Sequence, residues 1–147
     1  MGVRSVYLDT SAIVKRYVVE EGTDVLDEIY AGAYAGDVTI GFSLFNIGEV
    51  AVVFDKYRRR GVIADVNDCF SKFLSEVSTL ARLGSLRVVR ISKPILVESV
   101  RYVFRYGVYI ADALQIASAK NFEAFLTFDE RLAEVAVKEG LRLFGKE

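Results

Sequence analysis

The chain predicts an α/β fold: a central parallel sheet of about five short strands between two layers of helices. Three features carry that expectation. Short apolar runs of four to six residues alternate with longer segments of helical periodicity, every pair of successive strands is separated by a stretch long enough for a crossover, and capping residues or glycines stand at the seams. At 147 residues one core is expected, with no repeat, low-complexity tract or linker to divide it.

The first strand is Val3–Leu8. A helix opens around Thr10, and a second runs from about Thr23 to Tyr34. Val38–Phe42 forms the next strand, and Ser43 has the chemistry of an N-cap for a helix that reaches Arg60 and stops at Gly61. From Val62 to Leu83, Ile63, Val66, Phe70, Phe73, Leu74, Val77 and Leu80 recur at helical spacing, ended by Gly84. Leu86–Ile91 is a third strand. Pro94 suits the first turn of a helix reaching Tyr106, punctuated by Gly107. A helix over Ile110–Lys120, a strand Ala124–Phe128, a helix Glu130–Lys138 and a last strand Leu141–Phe144 complete the pattern.

Composition excludes much chemistry. With no His there is no imidazole base, no Ser-His-Asp or Cys-His catalysis and no zinc site of the usual His-containing kinds. One cysteine, Cys69, excludes an intrachain disulfide and a cysteine metal cluster. Nineteen basic against twenty acidic residues give no global attraction for a polyanion, which then needs a local basic patch or bridging cations. No apolar run approaches the ~18 residues of a membrane span, and the opening Met1-Gly2-Val3-Arg4-Ser5-Val6 lacks a secretory core, so no membrane association and a cytoplasmic place are expected. Eight Tyr and ten Phe are more than a small core needs, which either a buried subunit or partner interface or a large apolar core explains.

Four acids stand where a bland surface does not put them. Asp9 and Asp129 close strands, at the edge where open α/β sheets bind ligands. Each also has an ordinary reading: Asp9 as a helix N-cap, and Asp129 as favourable charge at a helix start that Thr127 and Glu130 would box. Glu49 (with Phe45, Val52 and Val53 as neighbours) and Asp112 (with Val108, Tyr109, Gln115 and Ile116) fall on apolar helical stripes, where an unpaired carboxylate costs several kcal/mol unless neutral, salt-bridged or ligating a cation. An Arg partner is the ordinary solution for either alone. Together, four carboxylates without imidazole or thiolate form the donor set that Mg²⁺ or Mn²⁺ prefers.

Leu8–Tyr17, Ser43–Val50, Ala111–Ala117 and Leu126–Leu132 resemble, in order, the four acidic motifs of the PIN domain, over nearly the whole chain. The small size is most similar to VapC-type toxins of toxin–antitoxin pairs. Asn46 departs from the Thr or Ser that more often precedes the family's Glu.

The resemblance implies a metal-dependent endoribonuclease that hydrolyses RNA with one or two Mg²⁺ or Mn²⁺ ions. It implies Asp9 and Asp112 as direct ligands, Asp129 as a further ligand, directly or through water, and Glu49 as ligand or water orienter. Thr10, Ser11 and Thr127 then hold carboxylate rotamers. Lys15 and Arg16 are the nearest cationic candidates for RNA, ahead of the basic run Lys56-Tyr57-Arg58-Arg59-Arg60. A cognate antitoxin and a homodimer are the implied protein partners. Two further readings use the same residues: a PIN-like module that binds RNA or protein without cutting, and a housekeeping RNA-processing nuclease. A receiver domain lacks its acid pair, because Leu8 precedes Asp9, and its phosphoacceptor, because Leu86–Ile91 ends in Ser92-Lys93. Ser11 stands where a haloacid-dehalogenase-type phosphatase needs its second Asp, and no glycine-rich nucleotide loop occurs.

Overall fold

In the computed structural model, which describes residues 2–146, the chain runs β1 (Ser5–Leu8), α1 (Thr10–Tyr17), α2 (Thr23–Tyr34), β2 (Thr39–Ser43), α3 (Leu44–Arg59), α4 (Val66–Arg82), β3 (Leu86–Val89), α5 (Lys93–Tyr106), α6 (Ile110–Ala119), β4 (Ala124–Leu126) and α7 (Glu130–Lys138). The sheet order is β3-β2-β1-β4 and every pairing is parallel. Every strand pair is therefore joined by a helical crossover, as the alternating pattern requires.

One strand expected from the sequence does not form. Leu141–Phe144 contributes a single parallel bridge, Leu143 to Phe125, so the sheet has four strands rather than five. β4 is itself only three residues long and offers little ladder to extend. The long helix also begins later than expected: Asp65 accepts a hydrogen bond from the Asp68 N–H and caps α4, leaving Val62–Ala64 in the connection.

Strand alternation builds two cores. Val6 and Leu8 of β1, Ile40 and Phe42 of β2, and Ala124 and Leu126 of β4 face the layer of α1–α4, packing on Ile13, Leu26, Ile29, Val50, Phe54 and Phe73. Tyr7 and Phe125 face the opposite layer, against Tyr102, Ile116 and Leu132. Each fully buried side chain of this size contributes about 1.5–3 kcal/mol. Gly41 marks the tightest fit, because a Cβ there would lie 2.0 Å from the Phe122 ring, which packs edge-on against Tyr7. Only glycine lets that ring close over the sheet.

The register sets the position of the site. Leu8 pairs with Leu126 and Tyr7 with Gly41, so β1, β2 and β4 end at nearly one level, and the Asp9 N–H continues the ladder to the Leu126 carbonyl. The chain passes from β1 to β2 on one side and returns to β4 on the other, which places the reversal of strand order beside Asp9.

Candidate active site

At that carboxyl edge opens a cleft of about 410 Å³, and all four acids line it: Asp9, Glu49, Asp112 and Asp129. Asp9 is the N-cap of α1 and accepts from the Ala12 N–H. Asp129 caps α7, accepting from the Leu132 N–H. Asp112 lies in the first turn of α6, and Glu49 in the second turn of α3. Three of the four thus stand at positive helix ends, where the N-capping logic of the sequence and a negatively charged site coincide. For Asp9 the capping and functional readings do not compete, since one oxygen caps while the carboxyl still faces the cleft.

Asp9 is held from every side. Ser11 Oγ donates to its Oδ1 at 2.7 Å, and Thr127 Oγ1 donates to its Oδ2. Thr127 is therefore not the helix cap that its spacing to Glu130 suggests; its hydroxyl orients Asp9 and accepts from the Asp129 N–H. Thr10 Oγ1 donates to Glu49 Oε1 at 2.8 Å, so all three hydroxyl residues singled out in the sequence act on the site, Ser11 also receiving the Phe128 N–H.

Asn46 fills the role its departure from the family pattern put in question. Fully buried, it accepts from the Ser43 N–H and donates to Thr10 Oγ1, steadying the hydroxyl that holds Glu49. Tyr7 OH reaches Asn46 Oδ1 at 3.3 Å and donates to Gln115 Oε1 at 2.8 Å. A buried polar chain thus runs from α6 through β1 to Glu49. The stripe expected around Glu49 is not core: Phe45 and Val52 are exposed, and α3 buries Asn46, Val50 and Phe54 instead. Glu49 is half-buried beside that face.

No Arg or Lys forms an ion pair with any of the four acids among the described residues. For Asp9, Glu49 and Asp112 the electrostatic result is the same in direction. Burial pushes the Asp9 carboxyl up to about 6 despite its three hydrogen bonds, with the charge of Asp129 adding to the rise. Burial and the charge of Asp112 raise Glu49 against the Thr10 hydrogen bond; burial and the charge of Asp129 raise Asp112 against the charge of Arg131.

The donor set suits a hard divalent cation: carboxylates and hydroxyls only, with uncompensated negative charge. Among the described residues no three acidic side chains converge into a ready-made cation cage. Among the described residues Asp112 accepts no side-chain hydrogen bond and Asp129 uses one oxygen as a cap, whereas both oxygens of Asp9 are engaged.

The basic candidates part company. Lys15 lines the cleft, its Nζ 3.0 Å from Glu20 Oε1 and over the Phe128 ring. Gly22 makes that packing possible: at φ +99°, a Cβ there would press on Lys15 Cδ and Phe128 at 2.8 and 2.9 Å. Arg16 does not line the cleft. It is held bidentately by Glu76 and by Asp27, over the face of Tyr30, and serves the packing of α1 on α2 and α4. Glu20, Tyr57 and Gln115 line the cleft without having been singled out as site residues. Gln115 had a signal, being three residues after Asp112 on one helical face. Glu20 had none, because it joins the cleft through the Tyr57 hydroxyl, 37 residues away.

A parallel sheet with an acid-lined cleft at its switch point defines an α/β domain whose candidate site lies at the carboxyl edge of the strands. The PIN domain model matches residues 6–138, and the chain belongs to the PIN domain family. Among solved structures the chain is similar to the Mycobacterium tuberculosis toxin VapC20, described as cleaving the sarcin-ricin loop (TM-score 0.64, 15% identity, 88% of this chain and 93% of that one). It is also similar to VapBC2 from Rickettsia felis, bound to a DNA fragment from its promoter (TM-score 0.58, 15% identity, 95% and 96%). At this identity the likeness is one of fold. No curated protein matches the chain. No helix among the described residues is long and apolar enough to cross a membrane.

Proposed function

We propose that this chain is a metal-dependent endoribonuclease and the toxin of a toxin–antitoxin pair, working in the cytoplasm. The observation that carries the reading is the cleft itself: four carboxylates on a PIN fold, gathered from four elements and given no ion-pair partner among the described residues. Such an arrangement destabilises the fold unless an ion relieves it.

Asp9 and Asp112 are the residues to hold Mg²⁺ or Mn²⁺ directly, with Asp129 joining directly or through water and Glu49 orienting the attacking water. A bound divalent cation supplies Lewis acidity for water activation and charge neutralisation at the phosphate, and a second can serve the leaving oxygen. Ser11 and Thr127 lock the Asp9 rotamer, and Thr10, backed by Asn46, locks Glu49. Lys15, half-shielded on Phe128, offers the cleft's one basic contact to the RNA backbone. VapC20's description as an RNA-cleaving toxin supports the substrate class, and the VapBC2 complex supports an antitoxin partner. The exposed apolar face of α5, formed by Leu96, Val97, Val100 and Phe104, supports an interface with that antitoxin or a second copy of the chain.

The test is cleavage of a mixed single-stranded RNA pool with Mn²⁺ or Mg²⁺, with EDTA, and with Asp9→Asn prepared identically. Cleavage that requires metal and is lost in the variant is the expected result. Folded, metal-loaded protein that binds RNA and leaves it intact would favour the non-cleaving member of the family.

A further inference from the structure

Beside the acid cleft lies a second cleft of about 420 Å³, lined by Gly107, Val108, Tyr109 and Arg131 and sharing Asp112, Asp129 and Leu132 with the first. We infer that this second cleft is a nucleotide subsite, in which Tyr109 stacks on a base and Arg131 holds a phosphate next to the one positioned over the acids. The inference rests on the nuclease reading and adds to it the residues that grip the chain beyond the reacting bond.

The loop is built to present that ring. Gly107, at φ +66°, ends α5 and turns the chain, and buried Val108 anchors the turn. Tyr109 then stands 84% exposed at the N-cap of α6, making no capping bond of its own. A large aromatic ring kept in water on an anchored turn, one residue position from the helix that carries Asp112, is a stacking platform at a fixed distance from the chemistry. Base-on-aromatic stacking is sequence-tolerant and strong enough to matter singly.

Arg131 supplies what the acid cleft lacks. Its Nη2 donates to the Tyr106 carbonyl at 2.9 Å, which draws the guanidinium toward the end of α5, and among the described residues it forms no ion pair. Lys15, in the first cleft, is by contrast paired with Glu20. An exposed guanidinium with donors to spare, lining one cleft with two carboxylates but bonded to neither, suits a phosphate oxygen. The cleft's volume falls in the range of small-molecule sites and accommodates one nucleoside.

The chain contains no Trp, so the Tyr109→Trp substitution introduces a single fluorescent reporter at the proposed platform. In the Asp9→Asn background, which spares the RNA, an unlabelled single-stranded hexaribonucleotide is titrated while the indole emission is followed; the fluorescein-labelled oligomer gives binding by anisotropy. Emission should be quenched over the same concentrations that raise anisotropy. Tyr109→Ala should weaken binding roughly tenfold while Tyr109→Phe preserves it, and Arg131→Gln should weaken binding and flatten its salt dependence by about 0.7 in log–log slope. Equal melting temperatures establish that the variants fold. Oligomer that binds by anisotropy without quenching the indole of Tyr109→Trp, and equally well to Tyr109→Ala, overturns the subsite and leaves the nuclease reading standing. Absence of binding to every variant and to the native chain overturns the nuclease reading, and the subsite with it.

Discussion

The two ends of α1 place acids in opposite circumstances. At its last turn Arg16 grips Glu76 bidentately, with Tyr34 OH donating to the same carboxylate at 2.7 Å. Burial pushes Glu76 up, yet the hydrogen bonds of Arg16 and Tyr34 and the charge of Arg16 outweigh it and hold the carboxyl below its ordinary range. At the first turn Asp9 is more deeply buried, receives only neutral donors, and has another acid for its charged neighbour; its carboxyl rises to about 6. One carboxylate is solved by the fold and one is left for something else to solve. That difference, not the mere clustering of acids, separates a structural acid from a candidate ligand.

The largest expected effect comes from breaking the unsolved end. Asp9→Asn should reduce RNA cleavage by about a thousandfold or more, because several kcal/mol of transition-state stabilisation depend on the ion it anchors. Its melting temperature without metal should hold or rise, since a charge disfavoured by burial is gone. A cleavage rate within about tenfold of native would dismiss Asp9 as a ligand. Breaking the solved end does the reverse. Arg16→Ala leaves Glu76 partly buried without its cation and should cost about 2–4 kcal/mol in denaturant unfolding, with cleavage per folded molecule unchanged. Loss of activity without loss of stability would return Arg16 to the RNA contacts the sequence suggested.

Metal should discriminate the two ends next. Mn²⁺ or Mg²⁺ at about a hundredfold over its dissociation constant should stabilise the native chain and Arg16→Ala by about 2.7 kcal/mol, and should do nothing for Asp9→Asn. Calorimetric absence of metal binding to the native chain would remove the metal-site reading. Thr127→Val strips one hydroxyl from Asp9 without touching its charge, and a roughly 10- to 100-fold loss in metal affinity is expected from such an outer contact; unchanged affinity would mean that Ser11 and the Ala12 N–H suffice.

The smallest effect is the pH dependence of the metal-free protein, because the two ends oppose each other. Asp9's folded pKa lies above its unfolded value, so between about pH 4 and 6 the native state binds more protons than the unfolded one, and stability from this group falls as pH rises. Glu76's folded pKa is depressed, so its contribution is present above its ordinary pKa and is lost as pH falls. Asp9→Asn should therefore tilt the profile toward a gain of stability with rising pH. An identical profile in native and variant would show that Asp9 is not perturbed.

Most of the architecture is legible in the sequence because the forces that set it are local. Helical periodicity places α2 at its observed limits, Ser43 and Asp9 have the chemistry of the caps they become, and Gly107 ends α5 where a left-handed residue is needed. The gathering of the four acids at one cleft is legible in part: Asp9 and Asp129 follow strands whose ends the parallel register brings level, whereas the apolar stripe that drew attention to Glu49 is not core. The last strand is not: Leu141, Leu143 and Phe144 carry strand propensity, but a ladder needs a neighbour of matching length, and β4 is too short to give one.

The sequence by itself determined most of the elements, their order, the absence of imidazole chemistry and of an intrachain disulfide, and which acids ask for an explanation, because caps, periodicity and composition act within a few residues. Only the tertiary structure decided that Arg16 belongs to Glu76, 60 residues away, while Lys15 turns to the cleft; that Thr127 serves Asp9 across 118 residues rather than capping its own helix; and that Asn46 and Tyr7 link Gln115 to Glu49. Neighbouring positions on one helix turn face different ways, and which partner each finds depends on strand register and helix packing, which no local pattern encodes.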